Sequence, residues 1–233
     1  MPERDAWRTV RRHWRLWLVN LIAGAGLLAA AYGWFWIPDQ KFWQLALSAL
    51  AALTITGACI WLAAASAAAL AESKARYGQC AVWLATLSLW VWVVQWLNAG
   101  SPRQSAWLAS LWAKAVHGQV NPALLTPMLG FIWTAVLWVG FVALVPYLHL
   151  SWKESAAALR KRRYWAAALA GVFAGFWLPW QLFQWAPGFE GFNVQVTSLA
   201  IRLAIAWTVM VTAWLWLLAL AARQTGSTVT SSR

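Results

Sequence analysis

Six apolar runs separated by short polar intervals set the pattern of this chain: residues 16–37, 42–71, 80–98, 122–150, 165–185 and 203–222. Each exceeds the ~18 residues that mark a bilayer span. Turn and capping residues fall at the breaks. Pro38 closes the first run, and Asp39 is placed to N-cap the second. Asn98, Gly100, Ser101 and Pro102 end the third run, Asn121 and Pro122 open the fourth as N-cap and first helical residue, and Pro187-Gly188 ends the fifth. The second and fourth runs are longer than the ~20 residues a span needs, so they tilt, kink or protrude, with Pro146 the expected kink. The pattern predicts an all-α polytopic transmembrane helical bundle of six spans.

Flanking stretches carry a helical period instead of a uniform apolar run. Over residues 2–17, Trp7, Val10, Trp14 and Trp17 share one face, and Arg4, Arg8, Arg11 and Arg15 form a stripe beside it. This predicts an interfacial amphipathic helix over residues 1–15, lying on the inner leaflet before the chain enters the membrane. Over 101–119, Ser101 as N-cap and Pro102 open a helix with Trp107, Leu108, Leu111, Trp112 and Ala115 on one face and Lys114 and His117 toward the polar side. It rests on the outer surface or dips inward as a re-entrant plug. Ser151 and Glu154 have capping-box spacing ahead of a helix bearing Arg160, Lys161, Arg162 and Arg163. The domain reading is an interfacial helix over 1–15, a six-span domain over 16–222 and a flexible cytoplasmic tail over 223–233. Two hairpins, one from Arg11 to Pro38 onward and one from Lys161 to Pro187 onward, share a basic-aromatic start and a Trp-x-Pro finish. The likeness reflects either duplication or the ordinary needs of a span at its two interfaces.

Composition sharpens the class. At 62% hydrophobic and 10% charged, against about 25% charged in soluble domains, little room remains for a soluble domain. Charge gives direction: 14 of the 18 Lys and Arg fall in the N-terminal segment, the second and fourth loops and the tail, with only Lys41, Arg103 and Lys114 on the other side. That bias predicts both termini on the cytoplasmic side. The formal net charge of +12 then reads as orientation plus attraction to membrane lipids, with a protein partner at the cytoplasmic basic loops as the sharper alternative and no nucleic acid implied. The first run is too long and too Trp-rich for a signal peptide and is expected to be retained. Cys59 in mid-span and Cys80 at a span end argue against a disulfide.

Candidate chemistry is sparse. The acidic residues, Glu3, Asp5, Asp39, Glu72, Glu154 and Glu190, avoid the depths of the spans, and His13, His117 and His149 are far apart. Zinc, nucleotide and serine-hydrolase motifs are missing from the sequence, so no catalytic residue, metal site or cofactor is predicted. Polar residues within the spans gather at the outer ends: Gln44 and Ser48, Gln95 and Asn98, Gln181 and Gln184, then Gln195, Ser198 and Arg202 as one stripe leading into the sixth run. Two readings stay open. Either these nine line an outward polar vestibule that binds a ligand, with Arg202 its fixed cation, or they are interfacial groups hydrogen-bonding between helices. Arg202 sits at the border of a run about 30 Å long as a helix, free to snorkel outward toward an anionic headgroup or Glu190. Of the 23 Trp, Trp14, Trp17, Trp152 and Trp165 are expected in a belt at the inner interface, and Trp34, Trp36, Trp43, Trp96, Trp180 and Trp185 in one at the outer interface. Trp61, Trp90, Trp133, Trp138, Trp207 and Trp214 are expected deeper, packed between helices or against lipid.

The opening "DAWRTVRRHWRLWLVNL", an amphipathic helix turning into the first of six spans, resembles that of six-span bacterial membrane proteins, the membrane domains associated with glycerophosphodiester phosphodiesterases and their stand-alone relatives. The resemblance implies layout and a bacterial inner membrane. It implies no activity, because no phosphodiesterase residues are present. The layout is also similar to permease subunits of ATP-binding-cassette exporters, in which a short cytoplasmic loop meets the ATPase; "ESKARYGQ" (72–79) holds that place here. The expected function is a non-enzymatic accessory or scaffold component of the cell envelope. A permease powered by a separate ATPase is the alternative, and an intramembrane lipid-binding or lipid-modifying protein is the third reading.

Overall fold

The computed structural model describes residues 2–38, 40–116, 121–148, 150–185, 188 and 191–229. In chain order the elements are α1 (Pro2–Arg12), α2 (Trp14–Trp34), α3 (Phe42–Leu70), α4 (Tyr77–Ala99), α5 (Ser101–Val116), α6 (Pro122–Leu144) and a 3-10 turn (Val145–Leu148). They continue with α7 (Trp152–Leu159), α8 (Arg162–Val172), a π-helical turn (Phe173–Trp177), α9 (Leu178–Gln184) and α10 (Phe192–Val229). No strand occurs among the described residues. Six segments are long and apolar enough to cross a membrane: α2, α3, α4, α6 with its 3-10 turn, α8 through α9, and α10. The chain is an all-α, multi-pass membrane protein with the expected six spans.

Several ends follow their local signals. The Asn121 side chain accepts the Ala123 N–H at 2.9 Å. Ser151 and Glu154 cap α7 reciprocally, at 2.8 and 3.4 Å. Pro146, which has no N–H, falls where α6 gives way to the tighter 3-10 turn. Other ends differ from expectation. Ser101 does not N-cap α5: it is already helical, and its hydroxyl turns back to Asn98 Oδ1 at 3.5 Å. The sixth span starts at Phe192, because the stripe of Gln195, Ser198 and Arg202 is itself helical, and the helix runs past the expected start of a tail to Val229. Residues 230–233, Asp39, His117, His149, Pro187 and Glu190 lie outside the described residues.

Contacts divide the chain into two units, residues 1–81 with 145–233, and residues 82–144. The first is built around the second half of α10, where Leu215, Leu217, Leu218, Leu220 and Ala221 are at most 1% exposed. α1, α2, α3, α7, α8, the π turn and α9 all pack on this helix. α1 meets it through Ala6, Thr9 and Val10, at i, i+3 and i+4, while Trp7 of α1 and Trp14 at the start of α2 stay about half exposed. α10 thus gives α1 a protein surface to pack on. Arg223 Nη2 donates to Thr9 Oγ1 at 3.2 Å and stands 3.9 Å from the Glu72 carboxylate. The start of the chain, the end of α3 and the end of α10 therefore meet at one end of this unit.

Two details set how closely its helices approach. Pro179 would collide with the Gly175 carbonyl in an unbroken α-helix, and the π turn Phe173–Trp177 widens the helix just before it. Gly171 and Gly175, one turn apart, lie against α10. A Cβ on Gly171 would stand 2.4 Å from the Trp216 ring, and one on Gly175 2.0 Å from the Ala213 Cβ. Small residues at this spacing let helices pack in lipid, where no hydrophobic force draws them together.

In the second unit α4 and α6 run antiparallel and are joined by indoles. Trp83 Nε1 donates to Leu144 O at 2.7 Å, and Trp90 Nε1 to Leu137 O at 3.2 Å with its ring over Gly140. The first turns of α5 pack on α6 through the Ser105 and Thr126 hydroxyls at 2.9 Å and through Trp133 Nε1 donating to Gln104 Oε1 at 3.0 Å. Trp107, Leu111 and Trp112 of α5 remain exposed, an apolar face suited to lipid.

Candidate functional site

Arg202 lies on α10 ten residues after its start at Phe192, half-buried. Helical side chains lean toward the N-terminus, and this one does: Nε donates to Ser198 O at 3.3 Å and Nη1 to Phe183 O, at the end of α9, at 3.4 Å. With Trp185, Asn193, Thr197 and Ser198 it lines a shallow, open pocket of about 470 Å³. The guanidinium is thus held by two backbone carbonyls next to an indole and small hydroxyls. Its remaining N–H groups have the fork geometry that suits a carboxylate or phosphate.

The other polar residues expected beside it do not line this pocket. Gln44 turns back on its own helix, its Oε1 accepting the Lys41 N–H at 2.9 Å, which caps α3. Ser48 Oγ accepts from Trp34 Nε1 at 2.8 Å and ties α3 to α2. Gln181, Gln184 and Gln195 are exposed and stand outside the pocket lining. In the second unit Gln95 is exposed, and Asn98 accepts the Ser101 hydroxyl. Of the nine, Ser198 and Arg202 share one pocket, while Gln44, Ser48 and Asn98 act as local fasteners.

A second feature, within the membrane-crossing part of the first unit, is a slot of about 350 Å³ between α2, α3, the π turn and α10. Leu27, Leu28, Ile55, Leu62 and Trp214 give it apolar walls, with Cys59 and Met210 among them. Asn20 closes one end. Its Nδ2 donates to Ser66 Oγ and to Leu16 O, both at 2.9 Å, and Ser66 is fully buried. Trp207 Nε1 donates to Leu21 O at 3.0 Å, with its ring over Gly24. Asn20 lies apart from the polar residues that gather at the outer ends of the spans, and the apolar walls of the slot carry no pattern that marks them in the sequence. The signal available was its depth: a polar group inside a span needs a partner, and Ser66 is the hydroxyl at matching depth on the next helix.

Among the described residues no three metal-ligating side chains come together, and both thiols are free. What the fold and these sites define is a multi-pass helical membrane protein with an open arginine pocket and an apolar intramembrane slot. Compared with known protein families, curated proteins and solved structures, the chain finds no match.

Proposed function

We propose that this chain is a non-enzymatic accessory or scaffold protein of the bacterial inner membrane, with both termini in the cytoplasm. The observation that carries the reading is where the tightest packing lies. The buried half of α10, with α1 and α7 packed on it, is the half nearest the chain ends. Exposed Arg4, Arg8, Arg160, Arg162 and Arg163 are borne on or beside these same elements. A well-packed, basic surface of this kind suits anionic headgroups and an acidic protein surface. The excess of Lys and Arg on this side supports a cytoplasmic placement.

The test combines topology with partner specificity. A reporter fused after Arg233 should read cytoplasmic; a periplasmic reading overturns the orientation. Purified from native membranes in a lipid-preserving system, the protein should carry a stoichiometric partner. Reversing Arg160, Lys161, Arg162 and Arg163 to Glu should release it. A partner that is an ATPase would move the role to a permease subunit, and a chain that carries lipid alone would sink the scaffold.

A further inference from the structure

We propose that the slot between α2, α3, the π turn and α10 holds one acyl chain of a phospholipid as a bound component, distinct from the lipid that exchanges around the spans. The inference stands on the membrane spans and is independent of the scaffold role. Position argues for it first: every wall belongs to a membrane-crossing segment, so alkyl chains are what surround it. Length argues second. α2 lines the slot from Asn20 to Ala31, about 16 Å at 1.5 Å per residue. That is close to half of the ~30 Å hydrocarbon thickness, the depth one leaflet's chain fills.

Shape agrees with a single chain. The slot begins about one turn inside the end of α2 at Trp34, on the side away from the chain termini, and passes Gly24. It closes on Asn20 and Ser66, whose amide and hydroxyl bond each other. A chain lying in it meets Leu and Ile methyls along its length and offers nothing polar that Asn20 must satisfy. Each close carbon pair adds only ~0.1–0.2 kcal/mol of dispersion attraction, but a chain lying along these walls makes many. The slot's volume lies within the ~300–1,000 Å³ typical of small-molecule sites.

The π turn is a separate observation at the same place. It contributes Phe176 to the slot lining, and π turns inside α-helices occur frequently at functional sites. Here it interrupts a membrane-crossing helix beside the slot.

The experiment uses the full chain in vesicles of phosphatidylethanolamine and phosphatidylglycerol, doped with a phosphatidylethanolamine carrying a photoreactive diazirine along one acyl chain. Adducts are mapped by peptide mass spectrometry. Met210 and Trp214 in the slot should be labelled several-fold more than Leu50 and Leu53, which are exposed on α3 outside it. Ala63→Phe, which fills the slot, should remove the excess and leave Leu50 and Leu53 unchanged; Cys59→Leu is the milder filling variant if the first misfolds. Labelling that is even between slot and surface, or a slot excess that persists in a folded filling variant, would overturn the proposal.

Discussion

Trp83 and Trp216 are buried alike, at 7% and 8% exposure, and differ in one atom's fate. The Trp83 indole N–H donates to Leu144 O at 2.7 Å, whereas the Trp216 N–H has no hydrogen-bond partner among the described residues. Replacing either with Phe removes similar volume, so the pair isolates the bond. Interhelical bonds in membranes average about 0.6 kcal/mol and reach ~1.7, and a buried donor left unmet is itself unfavourable. Trp83→Phe should therefore lower unfolding stability in mixed micelles by about 0.6–1.7 kcal/mol more than Trp216→Phe. Equal losses would mean that the rings act through volume alone. The same bond recurs between helices throughout the chain. Trp17, Trp34, Trp83, Trp90, Trp133 and Trp207 each donate to a neighbouring helix, joining apolar body and single donor in one side chain.

At the level of helices, the π turn approaches α10 closely at Gly175. Gly175→Ala would bring two backbone-tethered methyl carbons within 2.0 Å, and overpacking of this kind costs about 1–3 kcal/mol. Thermal unfolding should show that loss, and Ala213→Gly in the same chain should restore most of it; failure of the rescue would place the damage elsewhere. The spans themselves were legible because length and uniform apolarity suffice to mark them. Which span is central was not. In lipid a face turned to the protein and a face turned to hydrocarbon are both apolar, so the period that reveals a buried face in water carries little contrast here. The readable sign was Gly171 and Gly175 at i and i+4. The candidate site divides in the same way. Ser198 and Arg202 share a pocket because one helix places them a turn apart, as their spacing foretells. The bonds of Gln44 and Ser48 depend on a local cap and on a tryptophan from another helix, which no spacing announces.

For the whole molecule, the first unit is discontinuous: residues 1–81 complete it only with residues 145–233. α1, α2 and α3 find their common support on α10, the span made after all the others. The arginines of α1 are exposed in the folded chain, but trypsin cuts only where the helix opens. A chain stopped before Phe192 should retain its earlier spans yet be cut at these arginines several-fold faster than the full chain, and equal digestion of both would show that α1 is held by something other than α10. The order of synthesis turns this arrangement into a waiting time. At about 5–20 residues per second, roughly 10–40 s separate the emergence of α1 from that of its partner. During that interval Asn20 and Ser66 can already pair, since both reside on early helices, but Ala6, Thr9 and Val10 have no protein surface to cover them. The insertion machinery must therefore tolerate α1 without its packing partner until α10 enters the membrane.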